Sequence, residues 1–113
     1  MSSEKSKAQM RKGILDYCIL LLLKHKEAYV SDIIKQLKDA RLIIVEGTLY
    51  PLLTRLKNAG YLSYRWEESH QGPPRKYYEI TDLGKEFLVD IDNSWIELVD
   101  SINNIKRNNI QEK

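Results

Sequence analysis

The spacing of apolar residues changes at Gly60, and this change limits the folds that the chain can adopt. Between Leu49 and Leu56, four leucines stand at positions i, i+3, i+4 and i+7, which is typical of one face of a helix. Between residues 62 and 66, apolar and polar side chains alternate, and this period of two is typical of a strand. Gly60 suits the position after a helix where the backbone adopts the left-handed conformation. The chain is therefore predicted to combine helices with a small sheet.

Further elements flank this transition. Helical spacing extends from about residue 9 to residue 25 and from about residue 29 to residue 41, and the third helix is predicted to begin near Gly47 or Thr48. The sequence KYYEIT predicts a second strand, which the turn-rich loop ESHQGPPRK joins to the first. Thr81 is suited to cap a long fourth helix that begins at about Asp82 and continues to Asn104 or beyond.

Three helices followed by a two-stranded hairpin are the parts of a winged helix-turn-helix. The predicted fold class is therefore α+β, with a winged helix-turn-helix domain in residues 1–81 and a long C-terminal helix and tail in residues 82–113. In such folds the third helix can enter the DNA major groove, while the tip of the hairpin, the wing, reaches phosphates or the minor groove.

Composition and length exclude several classes of protein. The longest apolar run has seven residues, far short of the roughly 20 needed to span a bilayer, and no signal-peptide pattern opens the chain. A single cysteine, Cys18, cannot form an internal disulfide, so we expect a cytoplasmic protein. His25 and His70 are isolated, and neither a nucleophile with its base nor a metal-ligand cluster is evident. We therefore expect no enzymatic activity, no metal and no cofactor.

Charge is distributed unevenly along the chain, although the net charge is only +2. Residues 1–81 contain 14 Lys and Arg against 9 Asp and Glu, whereas residues 82–113 contain 4 against 7. A basic front and an acidic back favour two surfaces with different partners, one of them a polyanion. Ordinary solvated charge explains the same counts. The basic start of the chain adds a weaker positive element, namely Lys5, Lys7, Arg11 and Lys12.

The third helix has an outer face of unusual composition. With its leucines directed inward, helical geometry directs small, hydroxyl-bearing and amide-bearing side chains outward, where Glu and Lys would stabilise a helix better. Such residues allow close approach to DNA and can bind phosphates or base edges. The alternative is that Gly47 and Pro51 only shape a turn and that Tyr50 packs on the hairpin. The candidate DNA-binding residues of this helix are Gly47, Thr48, Tyr50, Thr54, Arg55 and Asn58.

The hairpin loop carries two adjacent cations, Arg75 and Lys76, directly after two prolines. Prolines stiffen a loop, so the charges are held outward at little entropic cost, which suits contact with phosphates. His70, Gln71 and the backbone N–H of Gly72 add further donors. The alternative is that the two cations only protect an exposed sheet edge. The candidate wing residues are Gly72, Pro73, Arg75 and Lys76.

These two segments, GTLYPLLTRLKNAGYL and GPPRKYYEITDLGKEFL, strongly resemble the PadR-like family of bacterial transcriptional regulators. The resemblance extends over roughly residues 13–88, with a slight departure at Val30, where glycine is more frequent. It implies a homodimeric winged-helix repressor that binds an inverted-repeat operator and responds to a small molecule, often aromatic. It also places Gly47, Thr48 and Tyr50 in the recognition helix and Gly72, Pro73, Arg75 and Lys76 in the wing. The single C-terminal helix is similar to that of the short subfamily.

The fourth helix has an apolar stripe spaced at 3, 4, 3, 4 and 3 residues, which is typical of a heptad seam. A helix that projects from a small domain cannot cover the far end of such a stripe alone, so a second copy of the chain is the predicted cover. The alternative is that the helix folds back on the first helix, and a mixture of the two has Phe87 and Ile91 turned inward. The candidate dimerisation residues are Leu88, Ile91, Trp95, Leu98, Ile102 and Ile105.

Trp95 is the one large aromatic residue of this stripe. Two indoles related by a two-fold axis could hold a flat molecule between them, so Trp95 is a candidate for an aromatic effector pocket. The alternative is that Trp95 belongs to the core. For the chain as a whole, the alternative function is a winged-helix module that binds protein or dimerises without binding DNA.

Overall fold

The computed structural model describes residue 10 and residues 13–69 and 72–111, with side chains to residue 108. The basic residues Lys5, Lys7, Arg11 and Lys12 lie outside this part of the chain. Among the described residues, no helix combines the length and the apolar character that a membrane span requires. The elements follow in the order α1 (Leu15–His25), β1 (Ala28–Tyr29), α2 (Val30–Asp39), α3 (Glu46–Asn58), β2 (Leu62–Ser69), β3 (Gly72–Ile80) and α4 (Asp82–Gln111).

One apolar core holds the helices against the sheet. Ile19 of α1, Ile33 of α2 and Leu53 of α3 are fully buried, as the helical spacing predicts. Leu88 of α4 lies in the same core at 2% exposure. The domain boundary after residue 81 stays a prediction, and the first turns of α4 pack with the elements that precede it.

The sheet has three strands in the order β1-β3-β2, rather than the two that the sequence predicted. The additional strand, β1, pairs antiparallel with β3 through Ala28 and Tyr29, opposite Tyr78 and Tyr77. Two residues are too few for an alternating pattern, so hydrophobic spacing could not reveal this strand. It joins the start of α2 to the hairpin and so fixes the hairpin relative to the helices.

The hairpin is longer than predicted, because most of the expected loop ESHQGPPRK belongs to strands. β2 continues to Ser69 and β3 begins at Gly72, and of the expected loop residues only His70 and Gln71 lie outside the described residues. The register shifts by one between the pairs Glu67–Arg75 and Ser69–Gly72, which places the two prolines at an irregularity of the ladder. Proline lacks an N–H, and it is tolerated at such bulges.

Local signals at the helix ends were predicted well. Gly60 has a φ of 88°, the left-handed conformation expected after α3. The hydroxyl of Thr81 accepts a hydrogen bond from the backbone N–H of Gly84 (2.9 Å) and donates one to the carbonyl of Gly60 (2.6 Å). This hydroxyl therefore caps α4 and also ties it to the end of α3. The helix α3 begins at Glu46, slightly earlier than predicted, and Pro51 lies within it.

Candidate nucleic-acid interface

The outer face of α3 is open to solvent along its whole length. Leu49, Leu53 and Leu56 are buried at 0–2% exposure, so the opposite side of the helix must point away from the core. Tyr50 is 44% exposed, which does not support the alternative that it packs into the hairpin. The structure places every candidate residue of this helix on the exposed side, namely Gly47, Thr48, Tyr50, Thr54, Arg55 and Asn58.

Gly47 is not required by anything inside the described part of the molecule. A Cβ added there meets no atom within 4 Å, and its φ lies outside the left-handed range. Gly47 is also the second residue of α3 rather than part of a preceding turn, where alanine would stabilise the helix better. Gly84 is the opposite case, because a Cβ there would lie 2.2 Å from the carbonyl oxygen of Tyr61. A glycine that nothing within the molecule explains favours close approach by an external partner.

The wing, residues 72–76, presents two cations whose positions are set by aromatic rings. The guanidinium of Arg75 lies 5.6 Å from the ring centre of Tyr29. The ammonium of Lys76 lies 4.5 Å from the ring of Tyr64 and 5.5 Å from that of Trp66. Among the described residues neither cation forms an ion pair. Attraction to the π-faces therefore holds both charges in place without neutralising them.

A cleft of about 410 Å³ separates α3 from the wing, and it brings together residues that are distant in the sequence. Tyr50 lines one wall, and Arg75 and Lys76 line the other. Gly72 and Pro73 are exposed at the tip of the wing, outside this lining. The residues of the cleft are Tyr29, Val30, Ser31, Glu46, Tyr50, Trp66, Pro74, Arg75 and Lys76.

Sequence analysis missed Tyr29, Ser31 and Trp66 as members of this cleft. Trp66 shares its strand face with Leu62, which is buried, so the alternation alone indicates a core residue. Tyr29 and Ser31 stand at the start of α2, and no short motif marks them. Tyr29 and Ser31 belong to the cleft because β1 pairs with β3 and so places the start of α2 beside the hairpin.

Two other arginines near this surface are already paired. A terminal nitrogen of Arg55 lies 2.5–2.6 Å from both carboxylate oxygens of Asp16 on α1. Arg65 binds Glu27 (2.7 Å) and Glu67 (3.0 Å). The hydrogen bond from Arg65 lowers the pKa of the Glu27 carboxyl below its usual value. Arg65 therefore joins β2 to the residue before β1, and the charge of Arg55 is partly neutralised by Asp16.

The apolar stripe of α4 divides into two parts. Leu88 is buried and Ile91 is half-buried against the core, so this end folds back on its own chain. Beyond it, the described members of the stripe are 43–60% exposed. These exposed residues, which form the distal stripe, are Trp95, Leu98, Ile102 and Ile105.

The junction between the two parts is a contact between α1 and α4. The hydroxyl of Tyr17 donates a hydrogen bond to the carboxylate of Asp92 (2.5 Å), which raises the pKa of Tyr17 to about 12. The ring of Tyr17 also lies 6.1 Å from that of Trp95, centre to centre. Among the described residues Trp95 therefore has Tyr17 as an aromatic neighbour, and 43% of its surface is exposed. No group of His, Cys, Asp and Glu in the described part of the chain is placed to hold a metal ion.

Comparison with known proteins agrees with this geometry. Residues 19–90 match the transcriptional regulator PadR-like family. A solved PadR-like transcription factor from Bacteroides fragilis is 62% identical, with a TM-score of 0.77 over 89% of this chain and 98% of that chain. A PadR-family regulator from Eggerthella lenta is 32% identical, with a TM-score of 0.84 over 90% and 89% of the two chains. An uncharacterised protein of Lysinibacillus sphaericus is 32% identical over 94 residues, which are 80% of this chain and 86% of that protein.

Proposed function

The chain belongs to the PadR-like family and is a DNA-binding transcriptional regulator rather than an enzyme; on this premise we propose that it is a homodimeric repressor of an inverted-repeat operator. The observation that carries the proposal is the cleft, which joins the outer face of α3 to the two unpaired cations of the wing. A helix with small and hydroxyl-bearing residues suits a major groove, and the adjacent cations suit the phosphates beside it.

In this arrangement the N-terminal half of α3 contacts base edges. Gly47 permits close approach, Thr48 offers a hydroxyl, and Tyr50 offers a hydroxyl or a ring to a phosphate or a thymine methyl group. Thr54 and Asn58 follow on the same exposed side, one and two turns further on. Arg55 forms an ion pair with Asp16, so it contributes less to phosphate binding than Arg75 and Lys76 do.

The distal stripe supports the homodimer. Four large apolar side chains along about three turns of helix stay 43–60% exposed in the described part of the chain, and a second copy of α4 would bury both stripes at once. A two-fold axis through this seam would present two α3 helices to two half-sites, about 34 Å apart for one helical turn of DNA. An inverted repeat follows from that symmetry.

The proposed effector is a flat aromatic molecule bound beside Trp95. Leu and Ile are sufficient to pack a two-helix seam, so an indole that is 43% exposed there favours a further role. Tyr17, whose ring lies 6.1 Å away, adds a second aromatic surface and belongs to α1 of the winged domain. A ligand that prefers the DNA-free spacing of the two wings would lower operator affinity by the same coupling factor with which DNA lowers the affinity for the ligand.

Binding to a random-sequence duplex at several salt concentrations tests the DNA interface, with fluorescence anisotropy as the measurement. On this duplex we expect Arg75→Ala to weaken binding about tenfold and to flatten the salt slope by roughly one unit, whereas Tyr50→Ala should weaken binding to the operator about tenfold. Lys38→Ala removes one exposed charge from the opposite end of α2 and is the matched control. A wild-type protein that shows no salt-dependent binding would favour the alternative, a winged-helix module that binds protein.

The operator and the repressor role need a separate experiment. Fragments of the source genome that the protein retains are sequenced, and their effect on a downstream reporter is measured with and without the protein. We expect an inverted repeat and a reporter signal that falls when the protein is present. A reporter signal that rises would identify an activator and refute the repressor assignment.

A further inference from the structure

We propose that the cleft between α3 and the wing holds one sugar–phosphate strand of duplex DNA, with the indole of Trp66 packed on a deoxyribose and with Arg75 and Lys76 on the flanking phosphates. The inference rests on the proposed function and adds to it a non-ionic contact with the backbone. Its starting point is the juxtaposition, in one cleft, of an exposed indole and two cations that have no carboxylate partner among the described residues.

Trp66 is much more exposed than Leu62, which lies on the same face of β2. Leu62, on the same face of β2, is 2% exposed, whereas Trp66 is 61% exposed. The row of inward-facing side chains thus continues past the end of the core and projects into the cleft. The ring of Tyr64 meets the indole at 89°, with centres 6.2 Å apart, so one edge of Trp66 is supported. The exposed remainder of the indole is a rigid apolar surface that is available to an external partner.

The charges around Trp66 match the repeating chemistry of a nucleic-acid strand. Lys76 is directly opposite Trp66 in the β2–β3 ladder, and its ammonium lies 5.5 Å from the indole ring. Arg75, the next residue, also lines the cleft. In a DNA strand every sugar is flanked by two phosphates. An apolar indole beside two cations therefore matches this alternation, with the indole on the sugar and the cations on the phosphates. Glu46 is the single carboxylate among the described lining residues, and it belongs to the wall formed by α3.

Duplex DNA fits this cleft better than a small planar ligand does. The opposite wall is Tyr50, which belongs to the outer face of α3, so the cleft is continuous with the surface proposed to enter the major groove. In a duplex the bases are stacked and their faces are inaccessible, whereas the sugars present C–H surfaces at the edge of the groove. An indole can cover such a surface in any sequence, so the contact adds affinity without adding specificity.

The test compares variants of the full-length chain on a random-sequence 30-base-pair duplex, because a backbone contact does not require the operator. We expect Trp66→Ala to weaken binding roughly tenfold at every salt concentration, as loss of a buried apolar contact would. The slope of log Kd against log salt should stay unchanged, since no charge is removed. Trp66→Phe should retain most of the affinity, and Lys76→Ala should flatten the slope by about one unit.

Fluorescence gives an independent signal that does not depend on the alanine variant folding. The difference between the wild-type spectrum and the Trp66→Phe spectrum isolates Trp66 from Trp95, the only other tryptophan. We expect this difference to change on addition of duplex and to saturate at the same concentration as the anisotropy. A Trp66 signal that stays constant while the duplex saturates the protein would overturn the inference.

The remaining outcomes separate this inference from the proposed function. If Trp66→Ala binds as the wild type while Arg75→Ala binds more weakly, the sugar contact is wrong and the DNA interface stands. If Trp66→Ala flattens the salt slope as Lys76→Ala does, the indole only positions that ammonium, and the sugar contact is again wrong. If neither Trp66→Ala nor Arg75→Ala changes affinity, the proposed DNA interface itself fails. Saturable quenching of Trp66 by a planar dye without DNA would assign the cleft to a small ligand.

Discussion

The described part of this molecule has two exposed surfaces whose chemistry is opposite. The outer face of α3 and the wing combine small, hydroxyl-bearing and amide-bearing residues with the unpaired cations Arg75 and Lys76. The distal stripe of α4 consists of large apolar side chains, with Ile105 still 60% exposed. Exposure alone therefore does not identify a partner. The first surface suits a polyanion that is approached closely, and the second suits an identical apolar stripe.

The same contrast exists within α4. Leu88 and Trp95 belong to one heptad pattern, yet Leu88 is buried in its own chain and Trp95 is 43% exposed. The helix is 30 residues long, about 45 Å at 1.5 Å per residue, and the described chain extends 64 Å along its longest axis. The apolar stripe of so long a helix therefore extends beyond the winged domain, which covers only the first part of the stripe. The heptad pattern thus predicts that this face of α4 is covered. The geometry determines whether the same chain or a second copy can cover each part of it.

The largest effect is expected from placing charge on the distal stripe. Leu98→Asp with Ile102→Asp should give a monomer, because two buried carboxylates per chain would face each other across the seam. Affinity for a duplex with both half-sites should fall at least 100-fold, since the half-sites no longer bind as one unit. Sedimentation gives the mass and anisotropy the affinity. Asn93→Asp with Asn103→Asp adds the same charge off the stripe and should leave the mass unchanged.

Gly84 is buried and Gly47 is exposed, and substitution by alanine should have opposite effects on stability at the two positions. Gly84→Ala should destabilise the fold by about 1–3 kcal/mol in urea, because the new Cβ would overlap the carbonyl of Tyr61. Gly47→Ala should instead stabilise α3 by about 0.5–1 kcal/mol while weakening DNA binding, because only an external partner meets the added methyl group. If Gly47→Ala keeps wild-type DNA affinity, close approach at this position is wrong.

Trp95 tests whether the distal stripe is only a seam. A planar cationic dye should quench tryptophan emission, and Trp95→Ala should abolish the quench, with up to about a tenfold loss of dye affinity from lost stacking. Trp66→Phe removes the second emitter and should keep the quench. Unchanged dye affinity in Trp95→Ala, or a variant that fails to fold, would place Trp95 in the core and remove the pocket.

The smallest effect concerns the contact between the winged domain and α4. The hydrogen bond to Asp92 raises the pKa of Tyr17 to about 12 from its usual value near 10. Its stabilising contribution is therefore complete below pH 10 and is lost as the pH rises through about 12. The difference between the phenolate absorbance titrations of wild type and Tyr17→Phe isolates this group. A pKa near 10 for Tyr17 in the folded protein would show that the contact is absent in solution.

The parts of the fold that follow local rules were predictable from the sequence. Gly60 and Thr81 act through their own backbone and hydroxyl groups, so both helix ends were found without tertiary information. The outward direction of Tyr50 follows from the leucine spacing alone. The family motifs placed α3 and the wing in order, and the matching family and solved structures confirm the winged-helix class.

Features that depend on distant residues were not predictable. β1 is defined by its pairing with β3, where Tyr29 lies opposite Tyr77 with ring centres 4.6 Å apart, and no local sequence pattern contains this contact. The prolines of the wing indicated a loop, and only the register of β2 against β3 shows that the ladder passes over them. The ion pair of Arg55 with Asp16 joins residues 39 positions apart. The DNA-binding and dimerisation roles of the individual side chains stay predictions.

The central claim is that the two open surfaces serve different partners, and sedimentation velocity with a labelled two-half-site duplex tests it most directly. Three proteins are compared with and without DNA: the wild type, Tyr50→Ala with Arg75→Ala, and Leu98→Asp with Ile102→Asp. We predict that the first pair of changes leaves a dimer whose affinity for the duplex is about 100-fold lower, and that the second leaves a monomer whose affinity is at least 100-fold lower. A dimer that persists in the stripe variant, or dissociates in the α3 and wing variant, would contradict the account.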